Sequence, residues 1–365
     1  MFSERTSVGL DVHARSVVAA AIDGVTGEVF RARLTPANED VIGWVRGLPG
    51  PSAVAYEAGP TGFGLSRALS AAGFRCEVAA SSKLQRPAGD RVKTDARDAL
   101  HLARLLRLDE VVSVRVPTQA QEAARDLVRA REAARADLMR ARHRVSKLLL
   151  RHGIVYSGGK AWTQVHDAWL LGQHFDRVGT QAAFEDAYEA VVLATGRRGR
   201  LDEKITAMAT ASEFTPVVGR LGCLRGISTL TGFALAVEIG EWDRFTGGSI
   251  GAYLGLVPSE HSSGSSRRQG AITKTGNAHV RRLLVEAAWH HRKPYRPTAV
   301  LRRRWDAATP AARARGHAGN QRLHARWVGY AERKSARWRP TSRSPASWPA
   351  GAGRWRCCPI DRSTR

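Results

Sequence analysis

The hydrophobic and polar positions change period several times along this chain, and each change marks a different kind of element. Val8 to Asp11 is a short apolar run, Ser16 to Asp23 is a second, and Glu28 to Leu34 alternates with period two behind a turn at Gly24 to Gly27. These three runs predict antiparallel strands. A helical spacing through Val41, Ile42 and Val45 follows, then a strand over Ala53–Glu57, a helix over Leu65–Ala72, a strand over Phe74–Ala79 and a helix from about Thr94 to Arg107. The order βββαβαβα is that of RNase H-like α/β folds. From Thr118 to His152 the pattern becomes one long helix. Leu127, Ala134, Leu138, Ala141, Val145 and Leu148 keep a 3/4 spacing interrupted only where Arg131 takes a core slot, which predicts a coiled-coil arm. A Gly-containing break at Tyr156 to Lys160 and a second helical stretch, about Thr180 to Ser212, supply its antiparallel or intermolecular partner.

The C-terminal half reads as mostly helical. Leu224 to Gly240 is a turn followed by a helix, in the manner of a helix-hairpin-helix whose backbone N–H groups hold a phosphate, with Ser228 where a second glycine is usual. After Leu254-Gly-Leu-Val-Pro258 comes a Ser/Gly loop, Ser259 to Gly270, then Ile272 to Asn277 and a helix to about His291. Beyond about Ser335 the chain turns to Arg, Trp, Pro, Ser, Ala and Gly without periodicity, which predicts a disordered tail. Such a composition is what a GC-rich gene yields in a shifted reading frame, so a natural C-terminal helix is expected to have been lost.

Charge adds a partner to this picture. With 57 Lys+Arg against 33 Asp+Glu the net charge is +24 and the pI about 11.1, which draws the chain to polyphosphate, with DNA or RNA the expected substrate. Residues 301–365 carry 16 Lys+Arg and 3 Asp+Glu, so over half of the excess lies in or near the tail. No apolar stretch approaches the ~20 residues of a membrane span and the N-terminus has no apolar signal core, so a cytoplasmic protein is expected. Cys76, Cys223, Cys357 and Cys358 show no C-x-x-C pair and no ligand-spaced His, which supports neither a disulfide framework nor a zinc site.

The candidate chemistry lies in isolated acids. Asp95 and Asp98 in Lys93-Thr-Asp-Ala-Arg-Asp-Ala99 are three apart at a helix start and share one face. Asp11 and Glu57 end two predicted strands. Each alone is explained by turn formation, helix capping or a favourable first-turn charge. The set is not, because an RNase H-like sheet brings the first strand, the fourth and the last helix to one edge. Four carboxylates there suit Mg²⁺ or Mn²⁺, two ions about 4 Å apart activating an attacking oxygen and stabilising the leaving one.

Asp11 in Gly-Leu-Asp-Val-His, Glu57 in Tyr-Glu-Ala-Gly-Pro-Thr-Gly, and Lys-Thr-Asp95-Ala-Arg-Asp98-Ala resemble the Asp-Glu-Asp-Asp motif of the RuvC-like domain in transposases of the insertion sequence 110 family. Leu254-Gly-Leu-Val-Pro-Ser-Glu-His-Ser-Ser-Gly-Ser-Ser with Gly-Ala-Ile-Thr-Lys-Thr-Gly-Asn resembles that family's C-terminal transposase domain. The resemblance covers roughly residues 5 to 330. It implies a RuvC-like catalytic domain at 1–110, a helical coiled-coil region at 111–215 and a C-terminal transposase domain at 216–330; the abnormal tail at 331–365 and Ser228 depart from the family's pattern. It also implies that Asp11, Glu57, Asp95 and Asp98 bind metal and that Ser263, before Gly264, joins covalently to DNA, with Ser262, Ser265 and Ser266 as alternatives. Read on residues alone, the same loop is a flexible Ser/Gly linker. Partners implied are element-end and target DNA, a structured guide RNA and further copies of the chain in a dimer or tetramer. Arg135, Arg142 and Arg144 on the long helix, and Arg267, Arg268 and Lys274 around the loop, are the nucleic-acid contacts expected, with a solvated face the competing reading for the helix. A RuvC-like nuclease that uses water, or an inactive nucleic-acid-binding relic, are the alternative functions.

Overall fold

Alternation of large and small apolar residues builds the N-terminal sheet and decides what packs on each side of it. The computed structural model describes residues 4–84, 94–264 and 266–332. The chain divides into two compact units, Met1–Thr118 and Gln119–Arg365. In the first, β1 (Thr6–Val12), β2 (Val17–Asp23) and β3 (Val29–Leu34) are followed by α1 (Asn38–Arg46), β4 (Ser52–Glu57), α2 (Gly64–Ala71), β5 (Arg75–Ala79) and α3 (Asp95–Arg107). The strands form one five-stranded sheet in the order β3-β2-β1-β4-β5. β1, β2 and β3 run antiparallel, while β4 lies parallel to β1 and β5 parallel to β4. Elements and order match the expected RNase H-like α/β arrangement.

Side chains alternate across a strand, so one face presents Val8, Leu10, Ala19, Ala21, Val54 and Tyr56. These pack in one core with Val41 and Val45 of α1 and Leu65 and Leu69 of α2. The opposite parity gives Gly9, Ala20, Ala53 and Ala55, a small-residue face that admits α3 at short range. Ala53 and Ala55 cluster with Leu106 of α3, and a Cβ on Gly9 would overlap the backbone at Ala99 and Ala103. The outer edge of β5 is covered by the chain leaving α3, with Val114 N–H donating to Val78 O at 2.7 Å and Ala80 N–H to Val112 O at 2.8 Å. This pairing guards an edge that could otherwise recruit a strand from another molecule.

The second unit begins with α4 (Gln119–Arg151), α5 (Gln164–Leu171) and α6 (Val178–Thr210). Arg131 pairs with Asp202 at 2.7 Å and Asp137 with Arg197 at 3.0 Å, so α4 and α6 run antiparallel within the chain. The buried stripe of α4 is Ala124, Val128, Ala134, Leu138, Ala141, Val145 and Leu149. The expected seam at Leu127 and Leu148 is thus displaced by one residue at each end. Leu127 and Leu148 still pack partly buried against the two cores that α4 enters, one with α6 around Ala124 and Val128 and one with α5 and α6 from Leu138 to Leu149. α5 lies in the stretch read as following a break; Thr163 caps it by accepting from His166 N–H at 3.4 Å.

The rest of the unit comprises α7 (Thr215–Gly222), α8 (Thr229–Ile239), α9 (Ser249–Tyr253), β6 (Pro258–Glu260), β7 (Gln269–Ile272), α10 (Ala278–Trp289), α11 (Ala299–Asp306) and α12 (Pro310–Glu332). α8 is buried from Gly232 to Ile239, which explains its apolar run up to Val237. The turn before it matches the expected turn and helix: Gly226 takes φ +86°, and Ser228 caps α8 by accepting from Thr231 N–H at 3.2 Å. The buried Glu238 carboxylate is held by Arg129 of α4 at 3.3 Å and by Asn277 Nδ2 at 2.9 Å, and the same Asn277 caps α10. The expected disordered tail lies outside the described residues. Among those described, no helix is long and apolar enough to cross a membrane.

Candidate active site

Strand parity, and the helix seated on Gly9, bring the acids together. Residues 7, 9 and 11 of β1 face α3, as do residues 53, 55 and 57 of β4. Ala99 of α3 lies over Gly9, and Arg107 at the far end of α3 donates to Asp23 O at 3.2 Å, so α3 runs against β1 with its N-terminus at the strand's C-terminal end. Asp95 is one turn before Ala99, and Asp11 is two residues beyond Gly9. Thr94 caps the helix, accepting from Arg97 N–H at 3.4 Å, and so settles where its first turn begins.

Asp11 and Asp95 both reach one imidazole. His13 Nε2 lies 3.1 Å from Asp11 Oδ2 and 3.9 Å from Asp95 Oδ1. One donor atom from each of Asp11, His13 and Asp95 lies within 4.8 Å of the others. Burial pushes the Asp11 carboxyl above its usual value, His13 opposes that shift, and the charges of Asp95 and Asp98 add to it. Asp98 is therefore close enough to act on Asp11, although it is not in that donor group. Glu57 is not in it either. The register pairs Leu10 with Tyr56, so Asp11 and Glu57 are the next residues on adjacent parallel strands and leave the sheet at the same end. Two hard carboxylates and an imidazole within bonding reach of one point fit a divalent cation.

His13 escapes sequence reasoning because a single histidine after a strand carries no spacing signal. The tertiary fold makes it central. A groove beside Asp95 is equally hidden: it is lined by Val18 of β2, by Arg31 and Arg33 of β3 and by Asp95 and Ala96 of α3. The alternation of β3 signals two exposed arginines, but not that they face the acids.

The Ser/Gly stretch is a β-hairpin, not a flexible linker. β6 and β7 pair Pro258 with Ile272 and Glu260 with Gln269, and Ser263 and Ser266 exchange backbone hydrogen bonds of 3.1 Å. Gly264 takes φ +57°, the left-handed region that favours glycine. These residues show no period-two apolar signal, so the linker expectation fails for a physical reason: the hairpin is held by backbone pairing and polar side chains. Ser262 Oγ donates to Glu260 Oε1 at 2.9 Å, Gln269 Nε2 donates to Glu260 Oε2 at 3.3 Å, and Arg267 Nε lies 3.2 Å from Oε1. Gln269, Ser262 and Arg267 together hold Glu260 below the usual carboxylate range. Ser263 is exposed at the tip. Arg268 is exposed, Lys274 adopts φ +56° at the hairpin base, and Ser265 lies outside the described residues.

Of the three arginines singled out on α4, Arg135 is paired with Glu132 at 2.7 Å and Arg142 lies half-buried over the Trp162 ring at 4.9 Å. Arg144 instead shares an exposed cleft with His143, Lys147 and Arg140, the last paired with Asp137.

Comparison with known proteins accounts for both motif sets. A family model described as a transposase of DEDD and IS110 type matches residues 8–154, which include all four acids. A second, described as the Transposase IS116/IS110/IS902 family, matches residues 219–300, which include Ser263. The chain is 38% identical over 301 residues to the putative transposase y4qE of Sinorhizobium fredii, covering 79% of this chain and 72% of that one. It is 31% identical over 325 residues to the transposase for insertion sequence element IS1533 of Leptospira borgpetersenii, covering 87% of this chain and 94% of that one. Both halves of the chain, in order and over most of its length, thus place it in the IS116/IS110/IS902 family of insertion-sequence transposases.

Proposed function

We propose that this transposase excises and inserts its own mobile element by metal-dependent cleavage and exchange of DNA strands through a covalent serine–DNA intermediate. The observation that carries the metal half is the convergence of Asp11 and Asp95 at one end of the sheet, with Asp98 and Glu57 beside them. In this reading Asp11, Glu57, Asp95 and Asp98 hold Mg²⁺ or Mn²⁺, and Arg31 and Arg33 receive the phosphates of a strand lying in the groove next to Asp95. A divalent ion held there supplies positive charge to a phosphate as its negative charge builds up in the transition state.

Ser263 supplies the nucleophile. Its Oγ forms a bond to phosphorus while the bond to the leaving sugar oxygen breaks, and the serine proton balances the hydroxyl left on that strand end. The phosphodiester is conserved as a new ester, so a second strand can be joined without ATP. Hydrolysis by water would end the exchange instead. The hairpin supports this role in two ways: backbone pairing fixes Ser263 at an exposed tip, and Arg267, Arg268 and Lys274 place cations nearby. Ser262 is less suited, because its hydroxyl already donates to Glu260.

The wider reading has the protein act in the cytoplasm on element-end and target DNA, directed by a structured guide RNA, as a dimer or tetramer in which the helical region serves as a coiled-coil arm. The decisive experiment incubates protein, guide and DNA, digests the product and searches by mass spectrometry for a phosphodiester-linked peptide. A peptide joined through Ser263, and missing from Ser263→Ala, supports the reading. Undiminished cleavage by Ser263→Ala, leaving free 5′-phosphate ends, would make the protein a nuclease that uses water.

A further inference from the structure

The donor set at the end of β1 is not all oxygen, and that distinguishes one cation from another. We propose that His13 is a direct ligand of the divalent ion held by Asp11 and Asp95, and that its nitrogen tilts the site towards Mn²⁺ over Mg²⁺. The inference rests on the reading of Asp11 and Asp95 as metal ligands.

Three observations carry it. First, the spacing suits a shared cation: ligands at about 2.1 Å from an octahedral ion stand about 3 Å apart when adjacent and about 4 Å apart when opposite. His13 Nε2 is 3.1 Å from Asp11 Oδ2 and 3.9 Å from Asp95 Oδ1. Second, His13 is placed by the fold. Its backbone N–H donates to Ser16 O at 3.0 Å, closing the turn between β1 and β2, so the side chain leaves the sheet beside Asp11. Third, the ring is not committed to the core: the side chain is 52% exposed, and its polar contacts are with the two aspartates. A surface His–Asp pair explains the shorter distance alone. The seating of α3 on Gly9 brings Asp95 to the same nitrogen, so two carboxylates from elements far apart in the sequence and one imidazole converge on one point.

The chemical consequence is selectivity. Mg²⁺ binds oxygen almost exclusively and keeps its waters, whereas Mn²⁺ and later transition ions accept imidazole readily. An all-carboxylate site discriminates weakly between the two; one with His13 bound retains Mn²⁺ in the presence of excess Mg²⁺.

The test loads the full chain with Mn²⁺ alone and records electron spin echo envelope modulation, which reports nitrogen directly bonded to the ion. Wild type is expected to show ¹⁴N modulation, and His13→Ala to bind Mn²⁺ without it. Competition titration with Mg²⁺ should show a loss of roughly tenfold or more in Mn²⁺ affinity in His13→Ala, a size that even ligand-supporting residues reach, with Mg²⁺ affinity almost unchanged. Because His13 is exposed, the variant is expected to melt like wild type. Bound Mn²⁺ without ¹⁴N modulation in wild type, or modulation that persists in His13→Ala, would overturn the assignment of His13 alone. Mn²⁺ binding equally weak in wild type and in Asp11→Asn would overturn it together with the metal reading beneath it.

Discussion

At the scale of single residues, Gly9 is the position on which the site depends. α3 is seated against β1 where any side chain would meet the Ala99 and Ala103 backbone. Gly9→Ala must push the helix outward, and overpacking of this kind costs roughly 1–3 kcal/mol. The expected outcome is a lowered melting temperature together with weakened Mn²⁺ binding, because Asp95 and Asp98 move with the helix; unchanged metal affinity would show that their approach to Asp11 does not depend on this contact. Asp11→Asn removes an anionic ligand without altering shape. It should abolish strand cleavage while DNA binding, measured by gel shift, stays near normal.

At the scale of elements, the α4–α6 pair changes what the long helix can be asked to do. Leu138 is 1% exposed and packs inside the chain with residues of α6, so it is not available for self-association. Leu138→Ala should cost roughly 2–5 kcal/mol of stability, seen as a lower melting temperature, with subunit number by light scattering unchanged. The exposed cleft is the place to look for nucleic acid, because its Arg144 and Lys147 are in no ion pair among the described residues, although its Arg140 pairs with Asp137 as Arg135 pairs with Glu132. Replacing Arg140, Arg144 and Lys147 with Gln should flatten the salt dependence of duplex DNA binding by about 0.9 in the log–log slope for each phosphate no longer neutralised. Arg142→Gln should instead lower stability, since it removes a half-buried cation stacked on Trp162. An unchanged slope in the triple variant would return the cleft to an ordinary solvated face.

At the scale of the whole molecule, buried titrating groups set an acid limit on stability. His291 is buried, its Nε2 lies 3.2 Å from Arg225 O, and burial pushes its pKa down from the ordinary 6.5 to about 4. It is folded as the neutral ring, so its contribution is complete above about pH 6.5 and is lost as pH falls from there through about 4. Glu238 is opposed by burial, but its bonds to His279, Arg129 and Asn277 prevail and bring it to about 2 from an ordinary 4.5. Its contribution is present above about pH 4.5 and is lost as pH falls towards 2. Melting temperature against pH should therefore decline in two successive windows. Glu238→Gln should flatten the lower one and leave the upper; a single decline beginning only below pH 4.5 would mean that His291 does not titrate as described.

How much is legible in the sequence follows from how local each signal is. Hydrophobic period and chain order determined the RNase H-like unit, since strands and helices are short-range features, and every strand of that sheet is readable from its own apolar pattern. The acids are legible as a set because strand ends and a helix start are local too. Only the tertiary structure decided which donors meet: the small-residue face that admits α3, the imidazole of His13 between Asp11 and Asp95, and the arginines of β3 in the groove beside them all depend on contacts between elements far apart in the chain. The same holds for the serine hairpin, whose pairing is made by backbone and polar groups that leave no hydrophobic period, and for the long helix, whose partner is chosen by packing that a heptad count cannot assign to one chain or two.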